Sequence, residues 1–153
     1  MTEKFFSALT AVLFFVLINF SCAKTSAEVS SDFAQEILEL VNIERENYGL
    51  KPLRLSEDLM RAADIRAKEI TKKFSHTRPN GSRFVTALKS DYMCAGENIA
   101  AGQRSAEEVM KSWMDSPGHR ENILNPNYKF LGAGYVYDYD SDYEHFWVQL
   151  FKG

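Results

Sequence analysis

The segment that most constrains the fold is Tyr143–Phe151. Its two alternating sets of side chains are both apolar or aromatic, with Phe146, Val148 and Leu150 on one face and Tyr143, Trp147 and Phe151 on the other. A strand alternates faces with period two, so a strand apolar on both faces must be covered on both. Leu131–Tyr137 precedes it with the same β-branched and aromatic bias, and Asp138–Asp142 between them reads as a turn. Upstream the periodicity is helical. The expected architecture is therefore α+β, a three-layer α-β-α sandwich in which helices cover both faces of a small antiparallel sheet.

The helical pattern starts at Asp32, a candidate cap with Gln35 three residues on, and Phe33, Ile37, Leu40, Val41, Glu44 and Tyr48 follow one face before Gly49 stops it. Ser56 can cap a second helix running from Glu57 to about Lys73. Leu59, Ala62, Ala63, Ala67 and Ile70 form its slim inner face. Arg61, Arg66, Lys68 and Lys72, with Asp58, Asp64 and Glu69, read as a solvated mixed-charge face. Pro79-Asn80-Gly81 is a sharp turn, 82–90 a short helix and 91–102 a loop or strand. Ser105-Ala-Glu-Glu108 is a capping box opening a helix that Pro117-Gly118 ends just before His119.

Ahead of this domain, Lys4 and the apolar run Phe5–Phe20 read as an export signal over residues 1–23, with small residues for cleavage after Ser21, Ala23 or Ala27. An uncleaved anchor is the alternative, although the run is short for a bilayer span. Cys22 adds the option of a lipid-modified mature N-terminus, so a lipid-anchored and a freely secreted protein both stay open. Residues 24–31 form a polar tether, and 32–153 form one domain of about 120 residues. With Cys22 removed or modified, Cys94 has no partner for an internal disulfide and reads as a small buried hydrophobe. The chain carries 18 Lys and Arg against 21 Asp and Glu, with no basic cluster to grip nucleic acid. Contact with a membrane is expected only through the signal or an anchor at Cys22.

The chemistry lies in three strings: Phe74-Ser75-His76, Gly96-Glu97-Asn98 and Ser116-Pro117-Gly118-His119. Two neutral imidazoles and a carboxylate can hold a divalent cation such as zinc, weakly, since a structural zinc site wants four ligands. Glu97 outside the ligand set could polarise a water as a general base. Equally, the histidines could hydrogen-bond Glu97 and tie three loops together with no metal. Asn98 and Arg120 look structural, Asn98 bridging backbone groups and Arg120 pairing with a carboxylate to hold His119. His145 reads as a partly buried strand residue. Asp138, Asp140 and Asp142 imitate a calcium loop, but Tyr143 and Gln149 stand where that loop needs glycine and glutamate. Ser75 and Ser116 lack the strained elbow of a serine nucleophile.

Taken together, Phe74-Ser-His76 with Pro79-Asn-Gly81, Gly96-Glu-Asn-Ile99, Trp113-x-x-Ser-Pro-Gly-His-Arg120 with Asn122-Ile-Leu124, Leu131-Gly-Ala-Gly134 and Trp147-Val-Gln-x-Phe151 resemble the CAP superfamily of cysteine-rich secretory, antigen 5 and pathogenesis-related proteins. The likeness covers about residues 33–152 and is strongest to the bacterial SCP-like branch. It implies an α-β-α sandwich with a cleft of two histidines and two acidic residues that can hold zinc. His76 and His119 match the histidines as metal ligands, and Glu97 matches one acid. Ser116 stands where many members carry the second acid, with Asp115 turned about 100° away on a helix, so the cleft set is Glu97, Ser116 and Asn98. The resemblance further implies an extracytoplasmic protein binding a metal, a lipid or sterol-like molecule, or a cell-envelope component. A metal-assisted hydrolase or peptidase, and a non-catalytic interaction module, are the alternatives.

Overall fold

A computed structural model describes residues 26–153, with side chains from Asp32 onward. The expected export signal, Cys22 and the start of the tether lie outside those residues. Helix α1 (Ser26–Asn47) begins six residues before the cap expected at Asp32, since the intervening sequence contains no Pro or Gly to stop a helix. Its buried stripe is Ala34, Ile37, Val41 and Arg45, while Tyr48 is 59% exposed. The stripe expected to end on Tyr48 therefore ends on Arg45, which continues the same three-and-four spacing.

Strand β1 (Arg54–Leu55) leads to α2 (Glu57–Lys72). A single 3-10 turn, Phe84–Ala87, replaces the longer helix expected over 82–90. Next come β2 (Ala95–Ala101), α3 (Ala106–Asp115), α4 (Pro117–Ile123), β3 (Phe130–Tyr137) and β4 (His145–Lys152). The capping box forms with a displaced return arm. The Glu108 amide donates to Ser105 Oγ, and the Glu108 carboxylate accepts from the Arg104 amide rather than from that of Ser105. Pro117 starts a helix instead of ending one, as its missing N–H permits at the first helical position.

The sheet runs β1-β3-β4-β2. β2, β3 and β4 pair antiparallel, but the two-residue β1 pairs parallel to β3, so the sheet is mixed rather than wholly antiparallel. β4 is central and covered on both faces. Trp147 and Phe151 join Ile37, Val41, Val109, Trp113 and Ile123 beneath α1, α3 and α4. Phe146, Val148 and Leu150 join Leu59, Ile70 and Ile99 beneath α2. Tyr143 lies in the hairpin loop, 63% exposed, and packs into neither core.

The Leu131-Gly-Ala-Gly134 string has a packing cause. A Cβ on Gly132 would fall 2.4 Å from the Leu59 carbonyl oxygen, and one on Gly134 would fall 2.4 Å from that of Ala63. The backbone of α2 therefore lies directly on β3, as its Ala-rich inner face allows. That contact sets the height of α2 above the sheet and delivers the turn that follows it to the sheet edge.

Candidate functional site at the free edge of β2

β2 is an edge strand with polar residues at its middle. Period two sends Glu97, opposite Leu150, to the α2 face and Asn98, opposite Gln149, to the α4 face. The turn after α2 supplies His76 on the first side, and α4 supplies His119 on the second. The two imidazoles thus reach the site around the free edge of one strand.

The Glu97 carboxylate is 0% exposed. Its Oε2 lies 2.7 Å from His76 Nδ1, and its Oε1 accepts from Arg66 Nε at 2.7 Å. A carboxylate ionised beside a buried guanidinium is an acceptor only, so a neutral His76 donates Nδ1–H to it and keeps its lone pair on Nε2. The His76 side chain is 57% exposed. The arrangement is an exposed imidazole with its tautomer set from behind by a buried carboxylate, as in metal-ligating histidines backed by a carboxylate.

Arg66, expected on a solvated mixed-charge face, is buried instead, with its side chain 0% exposed. Nη1 donates to Glu69 Oε2 at 2.7 Å, and Nη2 donates to the Ser75 carbonyl at 2.6 Å. Glu69 in turn takes a forked pair from Arg78, whose Nη1 reaches Thr86 Oγ1. Burial works against the Arg66 charge, but the bonds to Glu97 and Glu69 more than offset it. Burial likewise opposes ionisation of Glu69, and Arg78 and then Arg66 outweigh it, holding that carboxyl below its usual range. A signal was present in the sequence, because Arg66 falls four after Ala62 and four before Ile70, inside the buried stripe.

On the other face, Asn98 Nδ2 donates to the His119 carbonyl and to Gln149 Oε1, both at 3.1 Å. Asn122 Nδ2 donates to Asn98 Oδ1 and to the Glu97 carbonyl. Asn98 therefore ties β2 to α4, fixing the backbone that carries His119. Burial, and then the charge of His76, hold the His119 imidazole below its ordinary value of 6.5, favouring the neutral form that can ligate.

The remaining candidates lie outside this arrangement. Ser116 joins α3 to α4, and its hydroxyl caps neither helix. Asp115 pairs with Lys111. Among the described residues Arg120 pairs with no carboxylate; its Nη1 donates to the Met114 carbonyl, closing the end of α3. His145 Nδ1 meets the Tyr135 hydroxyl at 2.8 Å. Cys94 is a half-buried free thiol rather than a fully buried one. Among the described residues, no three His, Cys, Asp or Glu side chains gather so as to hold a metal ion. Glu97 has both oxygens engaged, which leaves the two imidazoles as the donor set.

The cysteine-rich secretory protein (CAP) family pattern matches residues 38–151. The chain belongs to that family. It is 42% identical over 135 residues to the uncharacterised protein YkwD of Bacillus subtilis, covering 84% of this chain and 51% of YkwD. Among solved structures, an extracellular SCP-domain protein from Bacillus anthracis superposes with TM-score 0.70 at 29% identity, covering 82% of this chain and 42% of that one. An outer surface protein of Borrelia burgdorferi shares the fold with TM-score 0.67 at 20% identity, covering 77% of this chain and 90% of its own. This CAP domain thus spans about half the length of YkwD and less of the B. anthracis protein. The α-β-α sandwich is the fold of these CAP neighbours.

Proposed function

We propose that this CAP protein is exported and binds a ligand at the edge of β2, where His76 and His119 hold a divalent cation weakly, without turnover. The observation that carries the reading is the His76–Glu97 bond, which turns Nε2 of a neutral imidazole outward. His119, held neutral by burial, is the natural second donor. A cation bound there would supply a Lewis-acidic point for an anionic or carbonyl-bearing group of a ligand. Glu97 serves as orienter and not as general base, because both its oxygens are already engaged, Oε1 by Arg66 and Oε2 by His76. Export is supported by the N-terminal apolar run and by the extracellular and outer-surface neighbours.

Metal analysis and zinc titration of the purified domain beside the His76→Ala/His119→Ala double variant test this. Stoichiometric binding lost in the double variant is expected. Equal, negligible zinc in both proteins would overturn the metal reading. Hydrolysis lost alike in His76→Ala, Glu97→Gln and His119→Ala would instead favour the hydrolase.

A further inference from the structure

Resting on the His76 reading above, we infer that Arg66, with Glu69 behind it, is a positioning residue that sets which nitrogen of His76 carries the proton. Arg66 grips both halves of the pair. Its Nε holds Glu97 Oε1, and its Nη2 holds the carbonyl of Ser75, the residue immediately before His76. The carboxylate and the backbone that present the imidazole are thereby referred to one planar guanidinium. The fork of Arg matters here, because the donors must point at the two acceptors along fixed directions, which a lysine ammonium cannot reproduce.

Glu69 completes the device. It takes the third side of Arg66 and binds Arg78 through both oxygens, so the loop is held before His76 at Ser75 and after it at Arg78. Two arginines and two glutamates balance when His76 is neutral. A buried carboxylate is tolerated only when paired and hydrogen-bonded, and Arg66 supplies that pairing without occupying the whole of Glu97 Oε2. That oxygen stays committed to His76 at 2.7 Å, while Arg66 Nη2 approaches it only to 3.4 Å.

The test reads the proton location directly. Two-bond 1H–15N spectra of histidine-labelled protein at pH about 8, where an unperturbed imidazole is neutral, should show His76 with its proton on Nδ1. Arg66→Lys keeps the charge and loses the fork, and Glu69→Gln frees Arg66 to reorient. Both should shift His76 towards the Nε2–H form, and zinc affinity should fall about 10-fold or more, the usual cost of removing an outer-shell partner. A lowered melting temperature with an unchanged His76 tautomer would make Arg66 a core ion pair only and overturn the assignment. If Arg66→Lys fails to fold, Glu69→Gln, altered at a partly exposed side chain, carries the same readout. A tautomer shift with no zinc binding by any protein, wild type included, would support the positioning role while removing the metal reading, because the spectra need no metal.

Discussion

At the residue scale, two charged side chains hold the structure by being buried or nearly so. Among the described residues Arg45 has no carboxylate partner. It donates to the carbonyls of Lys51, Ile123 and Asn125 and so closes the last turn of α4 from across the molecule. Arg45→Met should leave those carbonyls unsatisfied and cost about 3 kcal/mol in a urea melt, at 1–3 kcal/mol per orphaned buried group; Arg45→Lys should recover only part of it. Asp58 accepts from the amides of Lys89 and Ser90, from the Ser90 hydroxyl and from Arg61. Burial opposes its ionisation, but the Ser90 and Lys89 bonds and the Lys152 charge bring its pKa down to about 2. A carboxyl depressed in the folded state stabilises above its unfolded value of about 3.9, and that contribution is lost as pH falls through about 2. Asp58→Asn should therefore lower stability at neutral pH by roughly 1–3 kcal/mol and flatten the loss between pH about 4 and 2, checked by denaturant melts across that range.

At the element scale, α2 is fixed to the sheet by missing side chains. Gly134→Ala would set a methyl 2.4 Å from the Ala63 carbonyl oxygen, a backbone atom that cannot turn aside. Overpacking of this kind costs about 1–3 kcal/mol. Because α2 carries Arg66 and Glu69, lifting it should also loosen the His76–Glu97 bond, so the same variant should change the His76 imidazole resonances in an NMR spectrum. A melting temperature equal to wild type would show that α2 can shift freely. The start of α3 was legible from Ser105 and the extent of α2 from its apolar spacing, signals that are local, although Ser56 stands at the N-cap position of α2 without a capping bond from its hydroxyl. The role of Pro117 was not, because a proline after a helix and a proline opening the next one look alike until α4 is seen folding back onto β2.

At the scale of the whole molecule, β4 belongs to both cores, so neither face should unfold alone. Trp113 and Trp147, the two tryptophans of the chain, both lie in the core beneath α1, α3 and α4. Their fluorescence and far-UV circular dichroism should give one urea midpoint, and Gly134→Ala on the opposite face should move that fluorescence midpoint with the rest. Separate midpoints would mean that the two layers are independent. The family likeness and both-face coverage of β4 were readable because motif order and strand periodicity are properties of contiguous residues. His76, Glu97 and His119 were readable as candidates for the same reason. What the chain alone could not decide was how they meet. Arg45 and Arg66 sit within buried helical stripes, but a charge in such a stripe is stable only if distant acceptors surround it: carbonyls of Ile123 and Asn125 for one, Glu97 and the Ser75 carbonyl for the other. Those partners are brought close by tertiary packing, which converts a side chain that favours water into the one that orients the site.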